Sequence, residues 1–271
     1  MQKLSKRLQA VADFVASGSI VADIGTDHGF LPIYLVERGI CPQAVAMDIR
    51  IGPLERAQEH IQAAGLADRI QVRLSDGMNG LGQQEADSAV IAGMGGLAVI
   101  HILEQAGERL ADFKELALEP QSDLFKVRRY LREHRMYIDR EALVYEAGKF
   151  YPILHVSIQK PMEFQGMCRQ EYCGVVEEIK KSLLEKLGEE ARVQDLFDTY
   201  GVCMIAVRHP VLKKMLLRDK KRALGILDAL QERAQMEADV KGQDEKALAA
   251  AVRKQEVVKR LEEIQGLLAV L

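Results

Sequence analysis

The run Asp23–Pro32 reads DIGTDHGFLP and gathers two acids, Asp23 and Asp27, a histidine, His28, and two glycines, Gly25 and Gly29. It grows out of an apolar run, Ser19–Gly25 (SIVADIG), that reads as a buried strand. A strand that ends in a glycine turn and opens a helix is a nucleotide-cofactor site at the C-terminal edge of a sheet. Gly25 lets the backbone turn where a side chain would block a ligand. A second strand-like run, Ala44–Asp48, ends in a carboxylate about 25 residues on, placed to accept hydrogen bonds from both hydroxyls of a ribose. A third, Ile70–Leu74, is followed by Ser75, Asp76 and Gly77, where an acid can accept from an adenine amino group. A fourth, Asp87–Ala92, runs into AGMGG (Ala92–Gly96), and there the backbone around Gly93 and Met94 must approach something closely.

Two cofactors fit a glycine turn plus a ribose acid. A dinucleotide needs backbone donors and a helix N-terminus facing its pyrophosphate. Here the turn is D-x-G-x-D-x-G, and Asp27 would repel a pyrophosphate. S-adenosylmethionine has no phosphate; its sulfonium and amino groups are cationic, so Asp23 and Asp27 attract it in a partly dry cleft. The charges therefore favour S-adenosylmethionine. Alone, Asp23 or Asp76 could cap a helix and Gly25 could form a plain turn. Four markers on four successive strand ends carry the reading.

These residues need a parallel sheet to hold them. Up to about residue 160, apolar runs alternate with helical stretches, as in an α/β fold. An amphipathic helix is expected first, from Leu4, Leu8, Val11 and Val15. Further helices are expected over Leu31–Arg38, Pro53–Ala64, Leu97–Arg109 and Ser122–Arg135, with a fifth strand over Glu115–Leu118. Ile138–Tyr145 and Phe150–Gln159 read as an antiparallel hairpin turning at Gly148 and Lys149. From Pro161 the sequence reads as almost wholly helical. Two long helices fold back at Lys241–Asp244 as a coiled-coil-like hairpin, with Leu217, Leu224, Leu227, Leu230 and Ala234 on one stripe and Leu248, Val252, Val258, Leu261 and Leu268 on the other. The expected division is 1–160, a Rossmann-like domain, and 161–271, a helical domain.

Composition bounds the rest. With 271 residues and 48% hydrophobic residues the chain can bury a large core. No apolar run approaches the ~20 residues of a membrane span, and the N-terminal segment lacks the apolar run of a signal peptide. Cys41, Cys168, Cys173 and Cys203 form no C-x-x-C pair, so no metal is expected, and a reduced, cytoplasmic protein is. The net charge of −3 conceals a local field. Within Arg208–Arg222, seven basic residues face one acid, Asp219; a second basic stretch is Lys126–Arg135. The first run suits a nucleic-acid backbone.

Taken together, LSKRL (Leu4–Leu8), DIGTDHGFLP, DGM (Asp76–Met78), IAGMGG (Ile91–Gly96) and EP (Glu119–Pro120) resemble the bacterial tRNA (adenine-22 N1)-methyltransferases, the TrmK family, over the whole length. The chain departs from the family's usual D-H-A-Y-L-P at Gly29 and Phe30, and from its Q-P-N at Glu119–Gln121. The resemblance implies a class I methyltransferase fold with a helical C-terminal hairpin, S-adenosylmethionine as methyl donor and tRNA as partner, in a monomer or weak dimer. It implies cofactor contacts from Asp23, Gly25, Asp48, Asp76, Gly77, Gly93 and Met94. Asp27 is expected to offset positive charge developing on the adenine or to accept an amino proton, and His28 to orient the base. Contacts to tRNA are expected from Lys6 and Arg7 beside the pocket and from Lys213, Lys214, Arg218, Lys220 and Lys221. Two other readings stay open: a methyltransferase of another substrate whose hairpin drives oligomerisation, and a non-catalytic RNA-binding protein. A dehydrogenase is disfavoured by Asp27.

Overall fold

A computed structural model describes residues 3–159, 164–165, 168–237 and 244–271. Helix α1 (Lys6–Ala12) starts where the Ser5 hydroxyl accepts from Leu8 N at 3.3 Å. Then come β1 (Val21–Ile24), α2 (Phe30–Glu37), β2 (Ala44–Asp48), α3 (Ile51–Ala63), β3 (Ile70–Leu74), β4 (Ser88–Met94), α4 (Gly96–Ala106), β5 (Glu115–Pro120) and α5 (Leu124–Glu133). The hairpin β6 (Tyr137–Glu146) and β7 (Lys149–Ser157) follows. The sheet order is β3-β2-β1-β4-β5-β7-β6, parallel through β5, with β7 antiparallel to β5 and to β6.

Alternation along the strands divides the core in two. Val21, Ala44, Ala46, Val90 and Ala117 face α1, α2 and α3. Ala22, Ile24, Val45, Met47, Ala89, Ile91, Leu116 and Leu118 face α4 and α5. Strands covered on both faces read as near-continuous apolar runs, as β2 and β4 do.

Beyond the sheet lie a short pair, β8 (Phe164–Gln165) with β9 (Cys168–Arg169), and then α6 (Gln170–Leu187), α7 (Glu190–Tyr200), α8 (Val202–Ala206), α9 (Pro210–Glu237) and α10 (Asp244–Leu268). The strand pair is not expected from the sequence; two residues per strand leave no periodicity to read. Helix α7 docks on α5: Arg129 pairs with Asp195 at 2.9 Å, Arg132 with Asp198 at 2.9 Å, and buried Arg128, paired with Glu141 of β6 at 2.7 Å, donates to the Asp198 carbonyl at 3.0 Å. The second basic stretch is thereby largely engaged inside the molecule.

The α9–α10 hairpin is present, with the Lys241–Gln243 part of its expected turn outside the described residues. Of its expected stripes, Leu261 is buried and Leu227 and Leu268 pack against the core, but other positions need correction. Leu217 and Leu224 are exposed, as are Leu248, Val252 and Val258; the buried positions are Leu212, Leu216 and Ala223 on α9 and Val257, Leu261, Ile264 and Leu267 on α10. Leucine content misleads the register, because a two-helix contact buries only a narrow seam and leaves neighbouring leucines in solvent.

Candidate active site

The ends of β1 and β2 are tied together by backbone: Gly25 N and Thr26 N both donate to the Met47 carbonyl, at 2.7 and 2.8 Å. This sets Asp23 and Asp48 side by side, 7% and 6% exposed. Burial above all, with the Asp48 charge adding and Thr26 opposing, pushes the Asp23 carboxyl up to about 6. Asp48 Oδ1 accepts from Arg50 N at 2.7 Å and Arg50 Nε at 3.3 Å. Gly25 has φ +78°, and a Cβ there would collide with Met94 Cε. The glycine turn after β1 and the AGMGG run after β4 thus meet in space, as expected of two segments around one ligand.

After β3, Ser75 N donates to the Asp48 carbonyl at 3.0 Å, and its hydroxyl donates to Gly77 O and accepts from Gly80 N. Gly77 takes φ +55° and Asp76 stays exposed beyond it. Ile49 just past β2, Leu74 at the end of β3 and Leu97 at the start of α4 are 61%, 57% and 56% exposed. These apolar side chains at the same sheet edge offer surface to a flat ring.

At Gly93 (φ +80°) β4 bulges, and the bulge carries the strand on to Met94, past the expected end at Ala92. Gly93 N donates at 2.8 Å to Glu119 Oε2, which also accepts from Arg7 Nη1 at 2.6 Å. Burial raises the Glu119 carboxyl and Arg7 lowers it, with a net rise. Arg7, expected to contact tRNA, has its guanidinium held by a buried carboxylate and lies 5.4 Å from the Tyr151 ring centre. Lys6 remains exposed, its backbone N bonded to Glu146 Oε1 at 3.0 Å.

Asp27 and His28 share one loop. His28 Nε2 lies 3.6 Å from Asp27 Oδ1, and Arg56 Nη2 donates to that same oxygen at 3.0 Å. The His28 ring stacks on Phe30, 5.1 Å apart at 10°, and both rings stack on His60. The Phe30 side chain thus keeps a stacking role without a hydroxyl. Arg56 and His60 carry no signal in the sequence. They lie on a crossover helix about 30 residues from the loop they touch, and no local spacing reports that.

Of the basic run on α9, Lys213, Lys214, Arg218 and Lys221 are exposed and Lys220 is half-buried. Lys214 Nζ sits 3.5 Å from the Tyr145 ring centre and Arg218 Cζ 4.4 Å from that of Phe150, so two of these cations rest on the tip of the β6–β7 hairpin. The same tip carries Glu146, which accepts from Lys6 N and Arg7 N. Contacts therefore run from α9 through the hairpin to Arg7, Glu119 and the Gly93 bulge. A groove of about 360 Å³ between α9 and α10 adds Arg222, Arg253 and Arg260 to Arg218, with Asp219 and Glu256 as counter-charges. Arg253 and Arg260 escape a reading of the sequence because the hairpin brings them across from its other arm.

The site fits S-adenosylmethionine on its own chemistry. A nine-tenths-buried acid pair with a raised carboxyl gains from a cationic ligand, and a pyrophosphate there would meet two carboxylates. Among the described residues no cluster could hold a metal ion. A seven-stranded sheet in this order, with acids closing its first two strands and a glycine bulge closing the fourth, defines a class I methyltransferase fold. The model of a methyltransferase-domain family matches residues 4–154. The chain belongs to that family. It is 39% identical over 152 residues to the tRNA (adenine(22)-N(1))-methyltransferase of Bacillus subtilis strain 168, a match covering 56% of this chain and 64% of that enzyme. The crystal structure of the B. subtilis m1A22 tRNA methyltransferase TrmK aligns at TM-score 0.75 and 25% identity, covering 99% of this chain and all of that one. Streptococcus pneumoniae Sp1610, a putative tRNA (m1A22) methyltransferase in complex with S-adenosyl-L-methionine, aligns at TM-score 0.72 and 29% identity, covering 98% and 100%.

Proposed function

We propose that the protein transfers a methyl group from S-adenosylmethionine to N1 of adenine 22 in tRNA. The observation that carries this is the meeting of Gly25 with Met94 beside the buried Asp23–Asp48 pair, in a chain whose TrmK relatives carry that activity in name. S-adenosylmethionine supplies an electrophilic methyl on a sulfonium. Asp23 and Asp48 would hold its cationic and ribose ends, Asp76 and Gly77 its base, and Gly93 and Met94 the wall opposite Gly25.

The chain's own residues account for the choice of nitrogen. Methylation of an exocyclic amino group needs a polar grip on that group, and AGMGG offers a bulged, glycine-lined backbone where such a grip would stand. A ring nitrogen has its own lone pair, so positioning is the main requirement. N1 lies on the pairing edge, so the adenine enters unpaired or flipped. The product ring is cationic, and the Asp27 carboxylate is the acid available to offset that charge, with His28 orienting the base.

The basic face of α9 would track the phosphate backbone while the sheet edge receives the base. This reading divides the chain near residue 160 into a methyltransferase and an RNA-gripping part. It also places the protein in the cytoplasm as a monomer or weak dimer, and among the described residues no helix is long and apolar enough to cross a membrane. The test is transfer of a labelled methyl into unmodified tRNA, followed by nucleoside analysis. Label in 1-methyladenosine, lost when adenine 22 is replaced by guanine, is expected. Label in protein, or in another nucleoside, would overturn the assignment.

A further inference from the structure

Helix α3 presents one face to the Asp27–Phe30 loop and touches it at every residue. Arg56 Nη2 donates to Asp27 Oδ1 at 3.0 Å. One turn on, His60 Nδ1 lies 2.8 Å from the His28 carbonyl oxygen, an acceptor only, so this nitrogen bears the proton. Between them Ala57 backs Gly29, where an added Cβ would stand 3.3 Å from Ala57 Cβ. The His60 ring then stacks on Phe30 at 5.1 Å. Positions 56, 57 and 60 share a helix face, so one rigid element makes all four contacts. That element also starts from the cofactor acid, since Arg50, the residue before its first turn, donates to Asp48.

We infer that Arg56 and His60 are positioning residues for methyl transfer: α3 holds Asp27 and His28 in place by a side-chain anchor on one and a main-chain anchor on the other. The inference rests on the roles proposed above for those two residues. Two observations show why an anchor is needed. His28 has φ +65°, a left-handed conformation that a non-glycine residue leaves unless its surroundings fix it. Asp27 is 62% exposed, so packing does not settle its rotamer, and the guanidinium is its close polar partner besides His28. The Arg56–Asp27 pair is itself exposed and contributes little to stability. Its removal should therefore act on geometry and leave the fold intact.

The experiment compares Arg56→Met, His60→Ala, His60→Asn and Asp27→Asn with the wild type. It measures single-turnover methylation of unmodified tRNA, the S-adenosylmethionine dissociation constant and the melting temperature. Arg56→Met and His60→Ala are expected to slow methylation by about tenfold or more, as loss of sub-ångström positioning does. Cofactor affinity should stay within about twofold and melting should be nearly unchanged. His60→Asn, whose amide can donate to the same carbonyl, should recover most of the rate. Wild-type rates in Arg56→Met and His60→Ala beside a slow Asp27→Asn would overturn the inference and leave the role of Asp27 standing. A rate loss that tracks a fall in melting temperature, or no recovery in His60→Asn, would also overturn it. A fast Asp27→Asn would instead remove the reading of the loop on which the inference is built.

Discussion

Glu119 accepts from Arg7 Nη1 at 2.6 Å with no solvent exposure of its own side chain. The pair joins α1 to the end of β5, and through Gly93 N it also sets the bulge at which β4 closes the site. Removing the cation would strand a buried carboxylate. Arg7→Met should therefore destabilise the fold by about 3 kcal/mol in urea denaturation. The double variant Arg7→Met/Glu119→Gln should recover part of that loss, because the stranded charge is gone. An Arg7→Met protein as stable as the wild type but weak for tRNA would return Arg7 to the role its sequence position suggests.

Asp23 is held in the site at a cost to the fold. Its carboxyl is raised from 3.8 to about 6, so the folded state binds the proton more tightly than the unfolded chain. The contribution of the neutral form is fully present below 3.8 and is lost as pH rises through about 6. Asp23→Asn should then stabilise the ligand-free protein at pH 7 by up to ~3 kcal/mol while abolishing cofactor binding. In the wild type, S-adenosylmethionine affinity should strengthen from pH 5 to 7 as the carboxylate forms. Calorimetric titration over that range checks it, and a flat affinity would contradict a contact between Asp23 and the cationic part of the cofactor.

These two acids mark the limit of what the sequence makes legible. Asp23, Asp48, Gly25 and Met94 each sit at a strand end, and strand ends are announced by apolar runs; β2 and β3 appear at Ala44–Asp48 and Ile70–Leu74 as expected. Residues that reach the site from elsewhere leave no such trace. Glu119 is visible only within a family motif, Arg7 reads as an RNA contact, and Arg56 and His60 are polar positions on an amphipathic helix like many others. Their roles come from how α1 and α3 pack, which local periodicity does not encode. On α9 and α10 the reverse holds: the helices are plain from the pattern, but their seam follows the expected stripes only in part, taking Leu261 and Leu227 and leaving Leu217, Leu224, Leu248, Val252 and Val258 in solvent, because a single sequence does not show which face meets a partner.

Far from the chemistry, at the other end of the sheet, His155 on β7 is buried between Glu115 on β5 and Asp139 on β6; Nε2 meets Glu115 Oε2 at 2.8 Å, and Nδ1 meets Asp139. Burial lowers the imidazole pKa, but the two carboxylates outweigh it and hold the value above 6.5. Glu115 and Asp139 are held below their ordinary 4.5 and 3.8 despite burial, chiefly by His155. The His155 contribution is fully present below pH 6.5 and fades as pH rises through its raised value; the acids' contributions are present above pH 4.5 and fade as pH falls. The cluster therefore supports the fold best between those limits. Urea midpoints measured from pH 5 to 9 should show the advantage of the wild type over His155→Gln shrinking as pH rises. A constant difference would mean that folding leaves the histidine pKa unchanged, and a growing one that the histidine is held neutral in the folded state.

The basic face of α9 contains two kinds of cation, and they should behave differently. Lys213 and Lys221 are exposed, whereas Lys214 and Arg218 rest on the Tyr145 and Phe150 rings. Neutralising Lys213 and Lys221 to Gln should weaken tRNA binding and reduce its salt dependence, by roughly 0.7–0.9 in log–log slope for each phosphate that goes unneutralised. Melting and cofactor affinity should not move. Neutralising Lys214 and Arg218 should weaken tRNA binding and also lower the melting temperature, since each cation gives up its ring on the β6–β7 hairpin. Binding measured between 50 and about 200 mM salt separates the two effects. If both double variants bind tRNA with the wild-type affinity and slope, the phosphate backbone is gripped elsewhere, and the Arg222–Arg253–Arg260 groove becomes the surface to neutralise next.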